Sequence, residues 1–440
     1  MKTKITALAP VYDNESGFLK IKLSGFSNTT AEVNISFENL LSFANNAAPN
    51  AVDFFMLSAI VYGVDRLIPR RQNSVDGWSR EIEVTFPVTN VDEWRDLKVK
   101  VESLLSFLTG DYWTVYFSKS NLTIPEVPLE VYTGELAQVN LFSGGLDSLI
   151  GALSFLKENS AKKLILVSHY DPQMKGPKAD QENLIKDISA QYGDRAIFIP
   201  SVKVTLATST VKETTFRSRS ILFIGMAVVV ANALKLDIKV PENGSVSLNY
   251  PLSPSRRSAC STRTTHPLVL EFIREIWSDL KIASKLENPF EFDTKGEMAY
   301  EFKNDASAKL MFMKSNSCGK RRHDERRVNP GAKHCGVCMP CMYRRAALIK
   351  VGLDNDNDYG DIVNDINFAT KKGQDVGACL EFLKRRLTEK EIREELVVHG
   401  VRDTSKLDNY VKLIVKTRIE LKELFKKIGD KKIKLKADIT

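Results

Sequence analysis

The sequence predicts an α/β fold, in which a doubly wound parallel sheet follows a β-rich N-terminal domain and precedes a helical C-terminal part with a cysteine cluster. Three observations lead to this prediction. Short apolar runs alternate with helical patterns from about residue 138, period-two alternation fills the region before it, and clustered cysteines are confined to one late segment. Because 440 residues are too many for one ordinary core, we divide the chain into domains at 1–134, 135–300, 301–352 and 353–440.

The first 134 residues predict an accessory domain rich in strands. Apolar and polar residues alternate over 18–26, 31–39, 80–88 and 112–120, as they do in strands with one buried face. One helical stretch interrupts them at 51–68. Because no catalytic pattern stands out, we interpret this region as a scaffold or a partner-docking domain.

The next region alternates strands with helices. Buried strands are predicted at 139–143, 163–170 and 195–202, and a fourth begins near residue 236. This order predicts a parallel sheet, and ligands of such sheets bind at the carboxyl ends of the strands. The segment that contains His169 lies at such an end, so we assign His169 to the ligand site.

A phosphate-binding loop is predicted between the first of these strands and its helix. Glycines permit positive φ and close approach of a ligand, and the helix offers its unpaired N–H groups. The loop residues are Ser143, Gly144, Gly145, Leu146, Asp147 and Ser148. The loop lacks a Walker lysine, so kinase or GTPase chemistry is not indicated.

The pattern Ser-Gly-Gly-x-Asp-Ser resembles the PP-loop of the ATP pyrophosphatases. This resemblance implies that ATP binds the loop and is split to AMP and pyrophosphate. Asp147 would then hold Mg²⁺ on the pyrophosphate or cap backbone amides.

Basic residues follow the second and third strands of the region. Lys175 comes after the second strand, and Arg217 and Arg219 stand at the start of the third helix. Because negative charge develops on departing pyrophosphate, cations at these strand ends would stabilise it. We therefore predict catalytic roles for these three residues together with Asp147.

Four cysteines form a candidate metal centre, namely Cys318, Cys335, Cys338 and Cys341. The two-residue spacings allow consecutive sulfurs to turn onto one ion, and four thiolates are common ligands of structural Zn²⁺. An iron–sulfur cluster, which four cysteines also hold, is the alternative.

The loop and the cysteines together resemble the 7-cyano-7-deazaguanine synthase (QueC) family over residues 138–350. The resemblance implies ATP-dependent activation of a 7-deazaguanine carboxylate and Zn²⁺ at the cysteines. The N-terminal region and the lysine-rich C-terminal helices are similar to QueC-like proteins of antiviral gene clusters, such as the Qat system. In that branch the resemblance implies transfer to an amine other than ammonia, with a protein N-terminus or a defence-system subunit as candidate partner.

The sequence departs from the family pattern at Ser220, where asparagine is usual, and within residues 242–267. We assign substrate binding to the second segment. Glu242 and Asn243 would hydrogen-bond a purine edge, and Arg263 would grip a carboxylate. Thr264 adds a hydroxyl, and His266 would accept a proton.

Composition limits other roles. The net charge of +8 permits an anionic partner. The segment 319–334 between the first two clustered cysteines is rich in lysine and arginine but lacks interleaved aromatic residues, so nucleic-acid binding is not favoured. The chain has neither a long apolar run nor a signal-peptide pattern, and we expect a cytoplasmic protein without membrane partners. The alternatives are a PP-loop tRNA-modifying or sulfur-transfer enzyme and a non-catalytic nucleotide-binding defence subunit.

Overall fold

The computed structural model describes residues 2–26, 29–174, 176–253, 263–320 and 327–439. Its strands are β1 (Thr3–Ala7), β2 (Val11–Asp13), β3 (Phe18–Phe26), β4 (Thr29–Ser36), β5 (Glu81–Val88), β6 (Tyr112–Lys119), β7 (Leu136–Leu141), β8 (Lys163–Val167), β9 (His169–Tyr170), β10 (Ala196–Phe198), β11 (Val202–Ala207), β12 (Asp237–Lys239) and β13 (Leu286–Glu287).

Helices account for most of the remaining regular structure. They are α1 (Leu41–Asn46), α2 (Pro49–Leu67), α3 (Arg70–Asn73), α4 (Val91–Asp96), α5 (Lys98–Thr109), α6 (Leu146–Glu158), α7 (Pro177–Tyr192), α8 (Arg219–Leu234), α9 (Gly244–Leu248), α10 (Pro267–Asp279), α11 (Lys295–Tyr300), α12 (Ala306–Lys314), α13 (Met339–Lys350), α14 (Gln374–Lys384), α15 (Glu389–Val398), α16 (Leu407–Ile428) and α17 (Lys431–Lys436).

The N-terminal strands build a mixed sheet in the order β6-β5-β1-β3-β4-β11-β9, with β2 paired to β3. β5 pairs in parallel with β1 and β6, whereas β3 is antiparallel to β1 and β4. Leu19, Ile21 and Leu23 of β3 are fully buried, and the residues between them are more exposed. The predicted period-two pattern therefore marks a sheet with one covered face.

Five strands form a second, parallel sheet in the order β10-β8-β7-β12-β13. The central strand β7 leads directly into the glycine loop and α6, so the loop lies at a carboxyl end of this sheet. The chain is thus a mixed α/β protein with parallel strand pairs in both sheets.

The prediction of one doubly wound parallel sheet is wrong. The strands predicted at 163–170 and 195–202 each divide: β8 and β10 belong to the parallel sheet, and β9 and β11 belong to the mixed sheet. β11 pairs antiparallel with β4, with Val204 opposite Ile35. Periodicity identifies such segments as strands but does not reveal which neighbour supplies their hydrogen bonds.

A hydrophobic core crosses the boundary predicted at residue 134. It joins buried residues of the mixed sheet, α2 and α5 to residues of β7, α8 and α10. α2 packs along α8, and a Cβ on Gly225 would lie 2.1 Å from Ser58 Oγ. Only glycine allows the two helices to approach this closely, so the N-terminal region directly positions α8.

The C-terminal helices α14, α15, α16 and α17 pack in another core, which also contains the four clustered cysteines. Buried Leu413, Leu421 and Leu424 line one side of α16, whose other residues include many lysines. Within the part of the chain that the structure describes, no helix is both long and apolar enough to cross a membrane.

Candidate active-site cavity and metal centre

A cavity of about 720 Å³ lies where β7, β9, β11 and β12 end. This volume is in the range of sites that hold small organic ligands and cofactors. The residues predicted from sequence that line it are Ser143, Gly145, Leu146, Asp147, Ser148, Arg219, Glu242, Thr264 and Cys318. Long-range folding therefore brings together residues from four parts of the chain.

The glycine loop is held by its own side chains and by a distant segment. Gly144 has a φ of +78°, a left-handed conformation that favours glycine. The Ser143 N–H donates to Ser148 Oγ at 3.2 Å. Gly145, the residue before α6, makes no side-chain cap. The start of α6 is suited to an anionic ligand, because its first N–H groups lack intrahelical partners.

Asp147 fits the role of a Mg²⁺ ligand. Its Oδ2 accepts hydrogen bonds from Lys295 Nζ and Asn243 Nδ2, both at 2.9 Å. Its Oδ1 is buried and has no hydrogen-bond partner among the described residues. An unpartnered carboxylate oxygen is costly to bury, and Mg²⁺ prefers oxygen ligands of this kind. Asp147 could therefore hold a divalent cation through Oδ1.

Glu242 is a second carboxylate in the cavity wall. Burial and the nearby Asp147 raise its pKa to about 7, while Lys295 and Thr265 oppose this shift. Thr265 Oγ1 donates to Glu242 Oε2 at 3.2 Å. The side chain therefore changes charge near neutral pH. The sequence predicted a hydrogen bond from this residue to a purine edge but not this change of charge.

Arg219 lines the cavity, whereas His169 contacts Arg219 and is not part of the lining. Arg219 Nε donates to His169 Nε2 at 3.2 Å, so His169 is neutral with its proton on Nδ1. Burial, followed by the charge of Arg219, lowers the pKa of His169 well below its usual value. His169 is fully buried beside Phe223. It positions Arg219 and does not itself line the cavity.

Of the other two predicted cations, Arg217 does not line the cavity. Arg217 is buried against the N-terminal region, where its Nη1 donates to the carbonyl of Thr109 at 3.0 Å and its guanidinium lies over Trp78. Its side chain is not among those that line the cavity. Lys175 lies outside the described residues.

Three predicted substrate-binding residues serve structural roles in this cavity's surroundings. Asn243 caps α9 and holds the Asp147 carboxylate. Arg263 donates to the carbonyl of Phe107 at 3.3 Å and stacks on that ring. His266 Nδ1 accepts the Leu268 N–H at the start of α10, and burial lowers its pKa well below the usual value. Sequence pattern identified a polar segment here but not the direction of its side chains.

Sequence reasoning missed four cationic residues that line the cavity: Arg66, Lys212, Lys295 and Lys320. For one of them, Lys295, the sequence contains a pattern from which the site could have been predicted. Lys295 follows Thr294 in a Thr-x-x-Glu capping box, which marks a helix start. A lysine at that position opposes the helix dipole and therefore suggests an acidic partner, which here is Asp147 at 2.9 Å.

The four cysteines form a cluster whose geometry could hold a metal ion. All four are buried, and their sulfurs lie within 4.8 Å of one another. A tetrahedral zinc ion with bonds of about 2.3 Å would place the sulfurs about 3.8 Å apart, and Cys335 Sγ lies 3.8 Å from Cys341 Sγ. The Cys335 N–H donates to Cys318 Sγ at 3.3 Å. The cluster can hold a metal ion, consistent with zinc.

The metal centre is linked directly to the glycine loop. The segment that precedes Cys318 runs along the loop: the Asn316 N–H donates to the carbonyl of Gly144 at 3.0 Å. The Leu146 N–H donates to Ser317 Oγ at 3.3 Å. A metal ion at Cys318 would therefore fix one wall of the cavity as well as its own segment.

Comparison of the chain with models of protein families gives no match. A search of curated proteins gives none either.

Proposed function

We propose that this chain is an ATP-dependent ligase that activates a 7-deazaguanine carboxylate as an acyl-adenylate and transfers it to an amine. The observation that carries the proposal is the cavity, in which the Ser-Gly-Gly-x-Asp-Ser loop faces Arg219 and Lys295. The resemblance to the QueC family supplies the substrate class. The antiviral context is part of the same proposal and rests on the resemblance alone.

Two bond exchanges would complete the reaction. A carboxylate oxygen attacks the α-phosphorus of ATP, and the bond from that phosphorus to pyrophosphate breaks. The amine nitrogen then attacks the acyl carbon, the bond to AMP breaks, and the amine gives up a proton. ATP and Mg²⁺ belong to this proposal: the loop amides would bind phosphate, and Asp147 would hold Mg²⁺, which neutralises charge on pyrophosphate.

Cations on the cavity wall support the first exchange. Arg219 is oriented by His169, and Lys295 is buried against Asp147. Preorganised charges of this kind stabilise a leaving group more strongly than mobile surface charges do. Of the cysteines that the structure describes, Cys318 alone lines the cavity. Its sulfur belongs to the four-cysteine cluster and would be occupied by a metal ion, which favours ligation over cysteine-based sulfur transfer.

The test is release of pyrophosphate from ATP with 7-carboxy-7-deazaguanine, with and without candidate amines. We expect the Asp147→Asn variant to lose about 100-fold or more in rate, because charge stabilisation of that size depends on one well-placed group. Asp187→Asn, which alters a carboxylate paired with Lys314 on the surface, is the matched control and should leave the rate unchanged. Equal rates for Asp147→Asn and wild type would exclude this function and favour a structural nucleotide site.

A further inference from the structure

One section of the cavity lining is cationic and aromatic and consists of residues outside the glycine loop. It is formed by Arg66 of α2, Lys212 after β11, and Phe216, Arg219 and Ser220 around the start of α8. The N-terminal region therefore supplies part of the lining. Of these five residues, only Arg219 was predicted from sequence to act in the site, and its predicted role was catalytic.

Most charges in this section are already matched by other protein groups. Arg66 donates to Asp171 Oδ2 at 3.0 Å and to Gln173 Oε1 at 2.7 Å. The Glu213 carboxylate accepts three backbone N–H groups, among them that of Arg70 at 2.8 Å. Neither acid forms an ion pair with Lys212 among the described residues, although the charge of Asp171 partly opposes the lowering of the Lys212 pKa.

Lys212 is a cation of this section that these pairings do not match. It is half-buried, and no carboxylate of the described residues forms an ion pair with it. Its Nζ donates to the carbonyl of Leu206 at 2.5 Å, while an ammonium has three N–H groups to offer. Burial, and then the charge of Arg66, lowers its pKa. A half-buried lysine with surplus positive charge is suited to an anionic ligand.

Neighbouring groups indicate the shape of that ligand. Phe216 offers an aromatic surface whose ring is held by the Arg66 guanidinium at 4.2 Å. The Ser220 hydroxyl is buried and has no hydrogen-bond partner among the residues described. One ammonium, one hydroxyl and an aromatic surface match a planar ring with a single carboxylate, whereas phosphates have the amides of the glycine loop.

We propose that Lys212, Ser220 and Phe216 form the subsite for the aromatic carboxylate, with Lys212 and Ser220 binding its carboxylate group. This inference rests on the proposed function and assigns the substrate to a different wall from that chosen by sequence. It assigns no binding role to Arg263 or His266, whose side chains contact Phe107 and the Leu268 N–H.

The test compares two ligands by calorimetry: 7-carboxy-7-deazaguanine and the uncharged 7-deazaguanine. Wild type should prefer the carboxylate, and Lys212→Met should weaken carboxylate binding about 10- to 30-fold, the usual effect of a lost hydrogen bond to a charged group. Binding of 7-deazaguanine and of ATP should not change. Ser220→Ala, which removes an unpartnered hydroxyl, should weaken carboxylate binding less and leave the fold intact.

Lys186→Met, on the exposed side of α7, is the control and should match wild type. Unchanged carboxylate affinity in Lys212→Met, an equal loss for both ligands, or a loss of ATP affinity instead would each overturn the subsite. The proposed function has a separate test. If wild type binds the carboxylate preferentially but releases no pyrophosphate, the proposed function is wrong while the subsite is retained.

Discussion

At the scale of single residues, the cavity depends on polar groups that are only partly satisfied. Asp147 has one oxygen matched by Lys295 and Asn243 and one without a described partner. Glu242 shares this environment and is destabilised as an anion. Proteins retain such costly arrangements chiefly at functional sites, so the pattern supports a ligand-binding role for this wall.

Glu242 should make the protein less stable as the pH rises. Its pKa is about 7 in the folded chain against an ordinary 4.5, so between these values the folded state binds more protons than the unfolded state. The free energy of unfolding then falls with rising pH. From pH 5 to pH 8 we expect Glu242 to lower the free energy of unfolding by roughly 2 kcal/mol, after allowance for its partial exposure.

Urea unfolding without Mg²⁺ or ATP at the two pH values measures this effect. Glu242→Gln should remove the loss and be more stable than wild type at pH 8. Glu423→Gln, on the exposed side of α16, should behave as wild type does. An identical pH dependence in wild type and Glu242→Gln would contradict the prediction.

At the scale of elements, two distant segments fix the cavity. Ser218, the residue before α8, donates from its hydroxyl to Asp65 of α2 at 2.8 Å, and Asp65 is itself held by Arg80 at 2.6 Å. This buried network sets where α8 begins and hence where Arg219 lies. On the other side, the segment before Cys318 contacts the glycine loop.

Loss of the metal should therefore weaken nucleotide binding. Cys318→Ser should reduce zinc from about one ion per chain, as expected for a closed four-thiolate site, to a small fraction. ATP affinity should fall with it, because Asn316 and Ser317 no longer support the loop. Metal analysis and calorimetry measure the two effects.

Cys379→Ser is the control, because Cys379 is buried in the C-terminal core apart from the centre. It should keep both metal and ATP binding. Full zinc content in Cys318→Ser would contradict the assigned ligand set. Iron and sulfide in the wild-type protein would favour the cluster alternative.

At the scale of the whole molecule, the N-terminal region is part of the unit that forms the cavity. β11 completes the mixed sheet through β4, α8 packs along α2, and Arg66 lines the cavity. Burial of one large apolar side chain contributes about 1.5–3 kcal/mol, and α8 buries several of them against this region. Separation at residue 134 would expose that surface.

We therefore expect residues 135–440 expressed alone not to fold cooperatively, as measured by circular dichroism during heating. The control keeps the whole sequence and introduces a protease site in the extended segment 121–134, which lacks helix and strand. After cleavage, the two pieces should elute together from a sizing column. A cooperative thermal transition in the isolated 135–440 piece would show that the N-terminal region is dispensable.

The sequence by itself determined the local features: the strand and helix segments of the central region, the glycine loop, and the four cysteines. These depend on periodicity, glycine conformation and ligand spacing, all of which lie within short stretches. Only the tertiary structure decided that β9 and β11 leave the parallel sheet and that Arg217, Arg263 and His266 point away from the cavity. Sheet partners and side-chain directions depend on groups distant in sequence, such as Ile35 opposite Val204, which no local pattern encodes.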